Sequence, residues 1–341
     1  MPKPAPISPW RLRAERLASG LRRDRLHPAV AAWADGCLPG ERWAVAFSGG
    51  ADSLCLLLLL WAHWPRRRSR LCVLHFDHRV RGAASAADAR FCRAVCSGLG
   101  INFACGRWES HPKAPSEAAA RSARFDFFDR EMARRGIRTL FLGHQRDDIA
   151  ETMLMRLARG SGSAGLAAPR PLQAGSRGRT HARPLLKLAR AEITGALRGA
   201  GAPWREDASN KADFFFRNRI RSKVLPAWQR AAGRDAMAGA AQSRELLEED
   251  DSALEAWVAR LKPVTPAGAL SLSRLDGQPR AVVRRGLHRW LLAQPGATTL
   301  SRRGFEALLA AVLCGTPTRQ SLGTKGFAVI RGRWLRYSAG A

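Results

Sequence analysis

Short apolar runs alternate with longer amphipathic stretches over the first two thirds of the chain. Residues 42–47, 70–76, 101–105 and 139–142 are apolar without strict two-residue alternation, as suits strands buried on both faces. Between them, 54–62, 85–98 and 115–135 read as helices. Strand alternating with helix predicts an α/β domain on a doubly wound parallel sheet, with ligands beyond the carboxyl ends of its strands. Ahead of it, 9–37 reads as one or two helices packed on the sheet edge, with Trp10, Leu12, Leu17 and Leu21 on one face. Residues 159–183, rich in Gly, Ser, Ala and Arg, read as a mobile basic loop able to close over a substrate. A helix over 188–198 follows, ended by Gly199 and Gly201. Phe216, Ile220 and Val224 recur every fourth residue as an apolar stripe, Arg217 and Arg221 recur on another face, and Pro226 closes the segment. Beyond it the texture changes. A long helix over 233–262, helices near 280–293 and 302–314, and a hairpin over 327–337 predict a smaller α+β domain. The expected division is therefore 1–226 and 227–341.

Composition sharpens this picture at one point. The chain has 341 residues, enough for two cores, and an ordinary apolar fraction. Its 57 Lys+Arg against 28 Asp+Glu leave a net charge of +29, which implies a polyanionic partner, nucleic acid above all. Seven cysteines, at 37, 55, 72, 92, 96, 105 and 314, form no C-x-x-C pair and read as reduced thiols of a cytosolic protein. No uninterrupted apolar run of ~18 residues occurs, so no membrane span is expected. The Arg-rich N-terminus lacks the apolar core of a signal peptide, and Glu15 and Asp24 argue against a transit peptide.

The chemistry gathers at the strand ends. After the first strand, Ser48, Gly49, Gly50, Ala51, Asp52 and Ser53 lead into a helix. Glycines let backbone N–H groups approach phosphate oxygens, and the helix N-terminus favours negative charge. The turn is not a Walker loop, since it has no lysine. Asp52 would oppose a bare phosphate, a conflict that Mg²⁺ between carboxylate and pyrophosphate resolves. After the second strand come His75, Asp77, His78, Arg79 and Arg81, read as a wall of the nucleotide pocket. The helix of 115–135 carries Arg121 and Arg124 one turn apart. After the fourth strand, a helix opening at His144 would place His144, Asp147, Asp148 and Glu151 on one face, opposite Ile149, Met153 and Leu157. Clustered carboxylates repel, so a cation, Mg²⁺ or a substrate amine, is expected among them. Basic residues near aromatics over 204–226 suit an RNA surface.

SGGADS after a strand resembles the PP-loop of the ATP pyrophosphatases, which cleave ATP to AMP and pyrophosphate to adenylate a substrate. Together with HFDHRVR, EAAARSARFDFF, LGHQRDDIAETMLMRLARGSG, RPLLKLAR and WREDASNKADFFFRNRIR, it makes residues 42–226 similar to the tRNA(Ile)-lysidine synthase family. The resemblance implies an adenine nucleotide alpha hydrolase-like fold and a bacterial, cytoplasmic ligase. It implies ATP and Mg²⁺ as cofactors, and free L-lysine and tRNA(Ile) with a CAU anticodon as partners. ATP would adenylate the wobble cytidine, and lysine would displace AMP to form lysidine. Carried onto this chain, Asp52, Asp148 and Glu151 are the expected catalytic residues, with Asp52 on Mg²⁺. Ser48–Ser53, His75, Asp77, Arg121 and His144 would bind ATP, and Asp147, Asp148, Glu151 and Arg205 lysine. Arg217, Arg219 and Arg221 would meet tRNA, which the C-terminal domain would grip. Oligomeric state stays open, a homodimer among the options. Two alternatives stand beside this reading: a thiolating PP-loop tRNA enzyme, and a non-catalytic RNA-binding protein.

Overall fold

A computed structural model describes residues 8–79, 82–109, 116–206, 215–294, 300–323 and 326–340. Val80, Arg81 and 207–214, which belong to motifs quoted above, lie outside the described residues. The chain divides into two compact units, Met1–Glu245 and Leu246–Ala341.

The first unit opens with α1 (Pro9–Gly20) and α2 (Pro28–Gly36), then runs β1 (Trp43–Ala46), α3 (Ala51–His63), β2 (Leu71–Asp77), α4 (Ala83–Leu99), β3 (Asn102–Arg107), α5 (Glu117–Arg134), β4 (Thr139–Phe141) and α6 (Arg146–Leu157). It continues through α7 (Ser163–Leu166), β5 (Leu172–Ala174), β6 (Thr180–Ala182), α8 (Arg190–Gly199), α9 (Phe216–Arg219), a π-helical turn over Ile220–Val224, and α10 (Leu225–Ala232). Helix α11 (Ala236–Leu261) carries the chain into the second unit.

The sheet order is β3-β2-β1-β4-β6-β5, parallel throughout except for β5 against β6. This is the doubly wound parallel sheet expected. Strand residues alternate between two cores. Trp43, Val45 and Phe47 of the β1 segment face the cluster built by α1, α3, α4 and α8, and Ala44 faces the cluster built by Phe127, Phe128 and Met132 of α5. Helix α3 is apolar all round, Leu54 to Trp61, because α1 and α8 cover the side that the sheet does not. Helix α1 therefore packs on helices rather than on a sheet edge, with Ala14 and Leu17 buried and Leu12 41% exposed.

Two local expectations change. The segment 159–183 is not a simple loop: β6 pairs with β4 and extends the sheet, and β5 forms its outer edge. Three-residue strands between glycines are too short to register as a pattern. The apolar stripe on Phe216, Ile220 and Val224 also fails. Ile220 alone is buried, against Ala150, Leu225 and Ala240, while Phe216 and Val224 are exposed. A π turn, in which the Leu225 N–H reaches Ile220 O, breaks the four-residue period.

The second unit is a four-stranded antiparallel sheet, β7 (Leu270–Ser271), β10 (Trp334–Ala339), β9 (Gly326–Arg331) and β8 (Thr318–Ser321) in spatial order, with α12 (Arg280–Leu292) and α13 (Arg302–Cys314). Its own core joins Trp290, Leu287, Leu308, Leu309, Ile330 and Leu335.

One close approach fixes where the strand ends meet. A Cβ on Gly143, just past β4, would stand 3.1 Å from the Asp52 carbonyl and from Ser53 Cα in the first turn of α3. Backbone inside a helix cannot yield as a flexible side chain does. Gly143→Ala should cost about 1–3 kcal/mol by overpacking. An unchanged urea midpoint would contradict that contact.

Candidate active site at the carboxyl ends of β1 and β4

The strand order reverses between β1 and β4, and such a switch point opens a crevice at the carboxyl ends. The loop after β1 fills one side. Phe47 N–H still donates to Leu74 O at 3.0 Å, and the chain then turns at Gly49, with φ +91°. The turn is tied by its own serines. Ser53 Oγ donates to Gly50 O at 3.0 Å, accepts from Ser48 N–H at 3.2 Å, and lies 3.0 Å from Ser48 Oγ. Gly50 caps α3 and brings no side chain to the first-turn N–H groups, which point at the crevice as an anion seat. Arg205 clamps the loop from outside. Its N–H donates to Gly49 O at 2.9 Å, and its Nε to Asp88 Oδ1 of α4 at 2.7 Å.

His75 is buried and its Nδ1 lies 2.8 Å from Phe47 O. Burial holds its pKa down, so the ring is neutral and Nδ1 donates. It thereby fixes the start of the loop. Asp77 Oδ1 accepts from Arg79 N–H at 2.8 Å, holding the turn that follows β2.

The acids come from α6. Gln145 and Asp148 form a capping box: Gln145 N–H donates to Asp148 Oδ2 at 2.9 Å, and Asp147 N–H to Gln145 Oε1 at 2.7 Å. The helix starts at Arg146, so His144 precedes it and takes a different direction from the acids. Glu151 is 1% exposed and receives Arg221 Nε at 2.5 Å, Arg221 Nη2 at 3.0 Å and Arg217 Nε at 2.9 Å. Arg221 Nη2 also lies 3.6 Å from Asp148 Oδ1. A guanidinium of this chain thus stands among the carboxylates.

Asp52 reaches the same field. Its Oδ2 is 3.5 Å from Arg190 Nη1, at the start of α8, and its Oδ1 is buried with no partner. Burial raises its pKa to about 6, Arg190 and Arg221 oppose that rise, and Asp148 and Asp147 add to it. Burial likewise raises Asp147, and raises Glu151 against the pull of Arg221. An orphaned carboxylate oxygen facing a phosphate seat fits Mg²⁺, which takes one or two carboxylates and completes its shell with phosphate and water. Among the described residues, no three His, Cys, Asp or Glu groups could hold a metal by themselves.

Opposite the acids stands a cationic wall. Arg183 Nε donates to His144 Nδ1 at 3.2 Å, and Arg183 is 4% exposed. Burial, then Arg183, Arg217, Arg121 and Arg124, hold the His144 pKa well below its ordinary value. Burial and neighbouring arginines lower Arg124 and Arg183 to about 10 and shift Arg121 the same way. Such mutual repulsion marks a place prepared for anions.

The structure therefore brings Asp52, Asp147, Asp148, Glu151, Arg217 and Arg221 together, with His144 and Arg121 on the adjoining wall. Arg205 sits on the loop, and Arg219 is exposed with its guanidinium 5.7 Å from the Phe216 ring. Sequence reasoning gave no role to Arg190, Arg183, Gln145 or Asp88. RPLLKLAR brackets Arg183 and Arg190, but no spacing links Arg190 to an aspartate 138 residues away.

A strand, a glycine turn and a helix N-terminus at the switch point, with an acid in the turn, define a PP-loop domain, and the family model of that description matches residues 25–228. The chain belongs to the tRNA(Ile)-lysidine synthase family of PP-loop proteins. It is 39% identical over 269 residues to the tRNA(Ile)-lysidine synthase of Geobacter sulfurreducens, covering 75% of this chain and 55% of that one. It is 33% identical over 322 residues to that of Gloeobacter violaceus, covering 92% and 94%, and 38% identical over 275 residues to that of Salinispora arenicola, covering 79% and 81%. The chain spans about half the length of several of these relatives, 55% for Geobacter and 41% for Solibacter usitatus. Among solved structures, the U34-tRNA thiolase NcsA of Methanococcus maripaludis superposes with a TM-score of 0.52 at 17% identity, over 69% of this chain and 78% of that one, a likeness of fold.

Two predictions follow from the charges. Glu151→Gln leaves two arginines facing a neutral group and should destabilise the protein by about 3 kcal/mol. Adding Arg221→Met should restore part of that loss, and strictly additive losses in urea titrations would refute the pairing. Burial lowers the pKa of His27 and of His181 to about 4. Between pH 6.5 and 4 the unfolded chain therefore binds protons that the native chain refuses, and stability should fall as pH falls through this window. His27→Gln and His181→Gln should each flatten the slope, and an unaltered slope in both would exclude the effect.

Proposed function

We propose that the chain ligates free lysine to the wobble cytidine of tRNA(Ile) with a CAU anticodon, using ATP and Mg²⁺, in the cytoplasm. The observation that carries this reading is the cation seat between Glu151 and Asp148, set beside a phosphate-binding turn whose own acid, Asp52, has an oxygen to spare. An enzyme that only adenylated its substrate would need the turn and Asp52. The second carboxylate pair suits an ammonium nucleophile.

In the first step the cytidine O2 bonds to the α-phosphorus of ATP, and pyrophosphate leaves. The turn Ser48–Ser53 receives the pyrophosphate through backbone N–H groups, and Asp52 would hold Mg²⁺, which neutralises charge on the leaving group. The backbone around His75–Asp77 lines the adenosine. Arg121 and His144, with Arg124 and Arg183 behind them, face the phosphates. In the second step the lysine ε-nitrogen bonds to C2 of the ring, the C2–O bond breaks, and AMP departs with that oxygen. Attack needs the neutral amine. Glu151 or Asp148, with Asp147 in support, holds the ammonium and takes its proton directly or through water. Burial favours the protonated acid, which suits a base.

Arg221 occupies the seat in the free protein. Lysine binding would displace it, and Arg217 and Arg221 would turn with Arg219 to tRNA phosphates, one cation replacing another. Arg205 would keep the turn closed over the bound nucleotide, beside the lysine. The basic second unit would grip the tRNA.

The test is incubation with ATP, Mg²⁺, labelled lysine and bulk tRNA, counting acid-precipitable label that survives mild alkali. Alkali-stable, ATP-dependent label is expected, lost in Asp52→Ala while filter-bound tRNA stays nearly constant. Pyrophosphate release without label would move the chemistry to another nucleophile. Equal loss of label and tRNA binding in Asp52→Ala would sink the role given to that residue.

A further inference from the structure

At the opposite end of the same sheet lies a half-open cavity of about 290 Å³. It is bounded by Arg42 before β1, Ser69 and Arg70 before β2, Cys72 within β2, Asn102 at the start of β3 and Arg135 after α5. The seven residues of β2 put roughly 20 Å between it and the crevice that holds Asp52.

Its polar lining has one chemical character, set beside the apolar Leu71 and Ile137. The guanidinium groups, the Ser69 hydroxyl and the Asn102 amide supply donors, and no carboxylate is among the lining residues. Among the described residues, neither Arg42 nor Arg70 forms an ion pair. Arg135 shares Glu131 with Arg134, at 3.0 and 2.9 Å. Three lining arginines, with Arg134 beyond them, thus stand against one glutamate. Burial raises the pKa of the Cys72 thiol, with Arg135, Arg134 and Arg42 opposing the rise and Glu131 adding to it. The arginines leave the chain where a parallel strand begins or a helix ends, Arg42 and Arg70 exposed and Arg135 half-buried. A tetrahedral dianion presents oxygens to several such forks at once, which a single carboxylate cannot. The volume stands near the lower bound of small-ligand sites and exceeds what one phosphate needs.

We propose that this cavity is a second anion site, one that takes a phosphate group carried by a larger molecule. Two sources share that chemistry, a free mononucleotide and the backbone of an RNA. The proposal does not depend on the lysidine reading, because the site lies away from the crevice and uses none of its residues.

The local reporter is Ile137, a buried side chain lining the cavity. Its methyl resonance would be followed in the full chain while inorganic phosphate replaces chloride at constant ionic strength. A saturable shift is expected, about tenfold weaker in affinity in the double variant Arg42→Ser, Arg70→Ser and similarly weakened in Asn102→Asp, which places a carboxylate among the donors. No saturable shift, or the same affinity in both variants, would overturn the proposal. With the site confirmed by phosphate, AMP and bulk tRNA are added separately, without ATP or lysine. Displacement of phosphate by tRNA alone assigns the backbone, and displacement by AMP assigns the nucleotide. Leu54, in the first turn of α3, reports binding at the turn independently, so a failure there is not mistaken for a failure at the cavity.

Discussion

Glu151 is a carboxylate with 1% of its surface exposed, and the fold can keep it charged only because two guanidinium groups reach it. Removing such a group from water costs several kcal/mol, repaid only when geometry and hydrogen bonds are nearly complete. Arg217 and Arg221 meet that condition with three contacts between 2.5 and 3.0 Å. They come from a segment some 66 to 70 residues later in the chain. The pairing therefore sets where that segment lies against α6. Ile220, between the two arginines in sequence, is buried against Ala150, the neighbour of Glu151. An ionic contact and an apolar contact thus fix the same pair of elements from adjacent positions.

The sheet places these groups within reach of the phosphate turn. A reversal of strand order between β1 and β4 leaves no crossover helix over their junction, so the crevice stays open. Gly143 allows β4's exit to lie against the first turn of α3, where a Cβ at 3.1 Å would force that backbone to give by a few tenths of an ångström. The same compactness desolvates Asp52, Asp147 and Glu151 together, and for this reason their pKa values rise together. Packing and chemistry are coupled here: loosening the crevice would hydrate the carboxylates and remove the field they share.

The parallel sheet, its helices and the turn were legible because each rests on local rules. Leu54 to Trp61 reads as a buried helix, and SGGADS after a strand reads as a turn that presents N–H groups to the space beyond it. The acids of α6 were legible as a cluster, and their need for a cation followed from repulsion alone. Which cation they hold was not legible, since nothing in the spacing of Arg217 and Arg221 names Glu151 as their partner. Four-residue spacing in that segment read as an amphipathic helix, and the π turn that rotates Phe216 and Val224 outward leaves no mark in the pattern. Arg190 escaped for the same reason as Arg221: an ion pair across 138 residues is a property of the folded sheet. The short strands β5 and β6 escaped because three residues carry too little alternation to outweigh the glycines around them.

In the free protein Asp52, Glu151 and Asp148 are each answered by an arginine, while among the described residues the arginines of the wall are not answered by an acid at the site. Asp52 faces Arg190, Glu151 faces Arg217 and Arg221, and Asp148 divides itself between its helix cap and Arg221. A ligand set that added only negative charge would strand the acids. One that added only positive charge would strand the arginines of the wall. A nucleotide polyanion together with an ammonium disturbs neither, because each newcomer meets the group that a displaced partner leaves. The site is thus built of opposite charges held side by side.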